Sequence, residues 1–167
     1  ADEFKGRTLA GRVEGGKLVR YPERAQIESG LLRDRGLELL WVDDPVDLFF
    51  LQVQGSGRVT LAEGGSMRVG FAAHNGHGFV AIGKLLIDSG KLPRDKVTMQ
   101  SIRDWLRANP ADASALMNQN PRYIFFREIA ASEGDGPIGA QGVPLTAGRS
   151  LAVDRRYVPM GVPLWLD

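Results

Sequence analysis

Glycine occurs 21 times in this 167-residue chain, and most glycines separate short apolar segments. That punctuation favours many short strands joined by tight turns. The clearest strand expectations are residues 37–43, Leu-Glu-Leu-Leu-Trp-Val-Asp, and 46–54, Val-Asp-Leu-Phe-Phe-Leu-Gln-Val-Gln. Asp43-Asp44-Pro45 reads as the turn between them. Residues 58–62, 67–72, 122–129 and 149–154 read as further strands.

Three helices are predicted among these strands. Residues 79–89 place Phe79, Ile82 and Leu86 at helical spacing, with Gly90 positioned to end the helix. Residues 99–108 place Ile102, Trp105 and Leu106 on one stripe, with Thr98 as N-cap. A third begins at Asn109-Pro110, a cap followed by proline at the first helical position. It must stop before Pro121, because proline disfavours helix at the residue before it. All three apolar stripes read as core. The Gly- and Pro-rich stretch 130–148 is too irregular for a regular element, and a domain boundary is expected near residues 125–130.

Hydrophobic residues make up 43% and charged residues 25% of the chain, and the net charge is +1. This is an ordinary globular balance with enough apolar mass for a core. No basic stripe is present, so nucleic acid is not expected as a partner. The chain has no cysteine, which excludes disulfides, thiolate chemistry and Cys-based zinc sites. No apolar run reaches the ~20 residues that span a bilayer. Leu164-Trp165-Leu166-Asp167 reads as the interior of a strand, so the chain is expected to be a piece of something longer.

Within the predicted strand 46–54 side chains alternate between faces. Phe49, Leu51 and Val53 make an apolar face, and Leu48, Phe50, Gln52 and Gln54 make one that turns polar at its end. Gly55-Ser56-Gly57 follows, letting a backbone or a ligand approach closely. Two amides, a hydroxyl and bare N–H groups suit the neutral hydroxyls of a sugar. The same residues also suit an edge strand that ends in a turn.

His74 and His77 have the spacing of a metal pair but lack a third ligand nearby, and a hydrogen-bonded or solvated pair is expected. Asn75-Gly76 is a turn signal, and Asn75 can also face a ligand. On the predicted strand 149–154, Ser150, Ala152 and Asp154 share a face. Arg149, Arg155 and Arg156 stand ready to hold Asp154 ionised, as part of a site or as a structural ion pair. No Ser/His/Asp order, phosphate-cradling loop or dinucleotide fingerprint occurs.

The run Phe49-Phe50-Leu51-Gln52-Val53-Gln54-Gly55-Ser56-Gly57 resembles the signature segment of the membrane-bound lytic murein transglycosylase A family. The resemblance continues through Asn75-Gly76, Ile82-Gly83-Lys84-Leu85-Leu86 with Gly90, Met99-Gln100-Ser101-Ile102 and Asn120-Pro121-Arg122-Tyr123-Ile124-Phe125-Phe126. It ends with Gly139-Ala140, Val143-Pro144-Leu145, Gly148-Arg149-Ser150, Ala152-Val153-Asp154-Arg155 and Val158-Pro159-Met160-Gly161. These segments run in order from about Tyr21 through most of the chain, and together they are specific where each alone is weak.

The resemblance implies a mainly β fold with a few helices. A small inserted β-barrel glycan-binding domain would occupy residues 1–125. The opening strands of a double-psi β-barrel, of the barwin and endoglucanase type, would occupy 126–167, with a glycan groove between the two. It implies cleavage of the β-1,4 bond from N-acetylmuramic acid to N-acetylglucosamine, leaving a 1,6-anhydromuramyl end, with no cofactor and no metal. One carboxyl group would serve as acid and then base, whereas two-carboxylate glycosidases need a nucleophile or an activated water.

By this resemblance Asp154 matches the first of three characteristic aspartates and supports the site. The catalytic acid is expected beyond Asp167, which would leave this stretch inactive alone. Gln52, Gln54, Gly55, Ser56, Asn75 and Gly139 would line the groove, with Arg149 and Ser150 near the barrel end. The implied partner is the glycan strand of peptidoglycan, and the implied state is a monomer. The implied place is the periplasm of a Gram-negative bacterium, at the outer membrane through a lipid anchor outside this chain. Two other readings remain: a glycan-binding module without catalysis, and a scaffold for another cell-wall protein.

Overall fold

The computed structural model describes residues 11–130, 136 and 139–166. The chain divides into two compact units, Ala1–Glu128 and Ile129–Asp167. That division keeps the last strand of the first unit whole, where a boundary after residue 125 would cut it.

The first unit opens with a hairpin of β1 (Gly11–Glu14) and β2 (Lys17–Arg20). Gly15 and Gly16 turn it, both at positive φ, as a two-residue hairpin loop requires. A short helix α1 (Arg24–Gln26) runs into a wide turn over Ile27–Leu31. Then come α2 (Pro45–Gln54), β3 (Ser56–Thr60), β4 (Ser66–His74), α3 (Ile82–Asp88), α4 (Met99–Ala108), α5 (Pro110–Met117) and β5 (Ile124–Glu128). Strands β3, β4 and β5 form an antiparallel sheet in that order. A sheet framework with a few helices is therefore present, and helix takes a larger share than the sequence reading assigned.

Segment 46–54 accounts for that share, and it corrects the strongest strand expectation. It is helix α2. Asp44 is its N-cap, with one carboxylate oxygen accepting the N–H groups of Val46 (2.7 Å) and Asp47 (3.3 Å). Pro45 fills the first helical position, and Gly55, at φ 79°, ends the helix with its N–H on the Leu51 carbonyl at 2.8 Å. The segment carries apolar residues on most sides: Val46, Phe49 and Phe50 are buried on one side, and Leu48 and Leu51 are part-buried on the other. A buried helix of ten residues shows the same apolar run as a buried strand, so only its ends distinguish them.

Segment 37–43 is also not a strand. It runs without a β partner among the described residues, leaving Trp41 85% exposed. The other predicted helices form. Thr98 caps α4 by accepting the Ser101 N–H at 3.0 Å. Asn109 stands at the N-cap position of α5, but its side-chain amide instead donates back to the Trp105 carbonyl at 2.8 Å. Helix α3 begins three residues later than predicted, at Ile82, and this frees Phe79.

The core joins Val46, Phe49 and Phe50 of α2 with Ile82 and Leu86 of α3, Leu106 of α4, and Ala113, Leu116 and Met117 of α5. Outside it, two arginines one turn apart on α4 tie that helix to α2. Arg107 reaches Asp44 and Asp47, each at 2.8 Å. Arg103 pairs with Asp47 and lies 4.3 Å over the Phe50 ring.

In the second unit the described residues 139–166 form turns and irregular segments, with an isolated bridge at Pro144. The expected strand over 149–154 is absent: the Asp154 carbonyl instead accepts the N–H groups of Tyr157 and Val158, closing a turn. Residues 131–135, 137 and 138 of the irregular stretch, and Asp167, lie outside the described residues.

Candidate functional site

A cleft of about 350 Å³ opens on the first unit, lined by Arg24, Gln52, Val53, Gly55, Phe71, Phe79, Asn120, Arg122 and Ile124. Two half-exposed aromatic rings line it, Phe71 at 48% and Phe79 at 53% exposure, with the His74 ring tilted against Phe71 at 6.2 Å between centres. Phe71 owes its position to a β-bulge in β4, where Phe71 faces Phe126 and Ala73 already faces Phe125. A bulge turns a side chain away from the face that strand alternation assigns it. Phe79, predicted as core, instead precedes α3.

Gln52 is 3% exposed, and its Oε1 has no hydrogen-bond partner among the described residues. Burial holds the Tyr123 phenol above its ordinary pKa, while the nearby Arg24 charge and the Gln52 amide pull the other way. A buried amide end without a partner carries an unrecovered desolvation cost, and a ligand donor in the cleft would remove it.

Arg24 forms the inner wall and is fully committed. Its guanidinium donates to the carbonyls of Asn120 (3.2 Å) and Arg122 (2.8 Å) and to Glu28 (3.4 Å). It also lies 4.9 Å from the Phe49 ring centre and 5.2 Å from that of Tyr123. Burial lowers its pKa, yet an arginine this well bonded stays charged. Arg122 also lines the cleft, half-buried, and its guanidinium has no carboxylate partner among the described residues.

The predicted site residues separate into groups. Gln52 and Gly55 line this cleft. Gln54 does not share their face, because residues two apart lie about 200° apart on a helix rather than side by side as on a strand; its amide rests 3.9 Å from the Met99 sulfur. Ser56 opens β3, paired with Gly70.

Asn75 is 2% exposed. Its side-chain N–H groups donate to the carbonyls of Pro22 (2.9 Å) and Pro121 (2.8 Å), and its carbonyl accepts the Tyr123 N–H at 2.9 Å. It stitches three chain segments together inside the fold. His74 accepts the Gly76 N–H, and the His77 Nε2 donates to the Tyr21 carbonyl at 2.7 Å. The two rings therefore serve local backbone.

In the second unit, Gly139 donates to the Val143 carbonyl at 2.9 Å. Ser150 accepts the Thr146 N–H at 2.9 Å, and Arg149 is exposed. Asp154 receives the Arg156 backbone N–H and guanidinium, which holds its carboxyl below the usual range. It is an ionised, exposed carboxylate and not a proton donor in this setting.

Phe71, Phe79 and Arg122 were missed as site residues. An aromatic just ahead of a helix start, and an arginine after Asn120-Pro121, were the available signals.

The first unit is thus a three-stranded sheet packed with helices that carries an open cleft with aromatic walls, one unpartnered amide oxygen and no lining carboxylate. Residues 1–127 match the family described as the MltA specific insert domain, and the chain belongs to that family. It is 38% identical over 146 residues to the membrane-bound lytic murein transglycosylase A of Vibrio cholerae, covering 86% of this chain and 39% of that protein. The crystal structure of a membrane-bound lytic murein transglycosylase from Agrobacterium tumefaciens superposes with a TM-score of 0.80 at 42% identity, over 90% of this chain and 42% of that one. Escherichia coli MltA, solved with bound chitohexaose, gives 0.74 at 34% identity, over 84% and 41%. The chain thus spans about two fifths of the length of the curated relatives it matches.

Proposed function

We propose that the cleft of the first unit holds a stretch of peptidoglycan glycan, and that the whole protein is a lytic transglycosylase of the cell envelope. The observation that carries this reading is the cleft's composition: exposed Phe71 and Phe79, a buried amide end at Gln52 without a partner, and no carboxylate. Flat apolar rings suit the C–H faces of sugar rings, and a free amide end suits an acetamido or hydroxyl group. The relatives' names, and the chitohexaose bound to the Escherichia coli protein, support the substrate class.

With no acid in the cleft, this unit binds and another part of the protein catalyses. The proposed chemistry cleaves the bond between N-acetylmuramic acid and N-acetylglucosamine. A carboxylic acid gives its proton to the glycosidic oxygen as the C1–O bond breaks. The sugar's own C6 hydroxyl then bonds to C1 and returns its proton to the carboxylate. Atoms balance without water, and the product is the 1,6-anhydro sugar.

The acid is assigned to residues beyond Asp167, in a double-psi barrel that the second unit begins. Asp154 supports that site, and Gly139, Arg149 and Ser150 are the second unit's glycan contacts. The protein is a periplasmic monomer anchored at the outer membrane, and neither nucleic acid nor a cofactor takes part.

Digesting murein sacculi with the full-length protein should release muropeptides one water lighter than hydrolase products. Reducing ends alone would reject the lytic chemistry. Phe71→Ala and Phe79→Ala should each weaken chitohexaose binding about tenfold; unchanged titration curves would remove the cleft from the glycan path. Binding without any cleavage by the full-length protein would instead favour a glycan-binding module.

A further inference from the structure

The cleft contains a cation that the neutral-sugar reading leaves unused. Arg122 lines it, half-buried, with no carboxylate partner among the described residues. Its neighbour in the wall, Arg24, is consumed by two backbone carbonyls, Glu28 and two aromatic rings. Arg122 has a different situation: its backbone carbonyl serves Arg24 and its backbone N–H donates to Asn120 at 3.3 Å, which fixes the main chain while its guanidinium stays uncommitted. A forked donor on a fixed stem is suited to grip a planar carboxylate by two parallel hydrogen bonds. The cleft lining includes no Asp or Glu to compete for it.

We propose that this cleft selects an acidic sugar, with Arg122 gripping a carboxylate carried on the ring's substituent while Phe71 and Phe79 receive the ring. The inference rests on the glycan reading above and sharpens it. In peptidoglycan, that carboxylate is the lactyl group of N-acetylmuramic acid where no peptide is attached. A stem peptide converts the same group to an amide and removes its charge. The cleft would therefore prefer bare glycan over peptide-substituted glycan. Arg122 is a specificity-determining residue, with no part in the chemical step.

The test uses the full-length protein and three disaccharides that lack the scissile bond. They are the methyl glycoside of N-acetylglucosaminyl-β-1,4-N-acetylmuramic acid, its lactyl amide, and the methyl glycoside of chitobiose. Binding is followed by NMR titration. The free acid should bind about tenfold tighter than the other two at low salt, as a charge-assisted pair allows, and lose that lead as salt rises. Arg122→Gln should bring the ratio to about one, and Arg122→Lys should keep part of it.

Equal binding of acid and amide by the parent protein would overturn the proposal. So would a preference that survives Arg122→Gln. Either result would leave a neutral-sugar cleft standing. If no disaccharide perturbs the signals of Gln52, Phe71 or Phe79, the glycan reading itself fails, and this inference with it.

Discussion

Two buried amides show how one side-chain chemistry serves opposite ends. Asn75 spends both N–H groups and its carbonyl on Pro22, Pro121 and Tyr123. Asn75→Ala would strand those buried backbone groups, so a loss of at least about 2 kcal/mol is expected in urea unfolding. A change under 0.5 kcal/mol, the scale of an ordinary surface substitution, would deny the stitch any structural weight. Gln52 is as deeply buried but keeps one amide end unbonded. Gln52→Met, of similar shape, should shift stability by less than about 1 kcal/mol while weakening chitohexaose binding. Equal losses in both would make Gln52 a packing residue. The sequence showed both amides beside glycine-containing turns, where either employment fits. The choice depended on which carbonyls the fold brought within reach.

Helix α2 brings the cleft and the core together: Phe49 and Phe50 face inward, and Gln52 lines the cleft one turn before Gly55. Its cap is its most exposed point of failure. Asp44→Ala should cost about 1 kcal/mol in thermal or urea melts. Partial burial works to raise the Asp44 pKa, but bonds from Arg107 and from the Val46 and Asp47 N–H groups outweigh it, and the net shift is downward. A carboxyl with a lower pKa in the folded state stabilises fully above its ordinary value. That contribution fades as pH falls below about 4. Asp44→Asn still caps but cannot ionise, so its acid unfolding limb should be flatter than the parent's. Identical limbs would mean that the ion pair is inert. Within the core, Leu106 has no exposed surface, and Leu106→Ala should lower unfolding free energy by about 3 kcal/mol. Helix α4 was legible because its stripe is amphipathic and Thr98 announces its start. Helix α2 was not, because apolar residues on most of its sides, Leu48, Leu51 and Val53 as well as Val46, Phe49 and Phe50, erase the periodicity that separates helix from strand.

On the scale of the chain, the core cluster lies wholly between Val46 and Met117, inside the first of the two units. Residues 1–128 expressed alone should therefore give a dispersed NMR spectrum and a single cooperative melt; a collapsed spectrum would show that the unit depends on residues beyond Glu128. The sequence by itself determined the family, through motifs spread in order along the chain, the helices α4, capped by Thr98, and α5, opened by Pro110, and the absence of thiol chemistry. It also singled out Gln52 and Gly55, which line the cleft. Only the tertiary structure decided that 46–54 is a helix, that Asn75 is a stitch, and that Phe71 and Arg122 share a cleft with Phe79. The physical reason is that motif identity is local, written in residue order. A cleft is a coincidence of segments tens of residues apart, set by a bulge, a helix start and the hydrogen bonds that fix them.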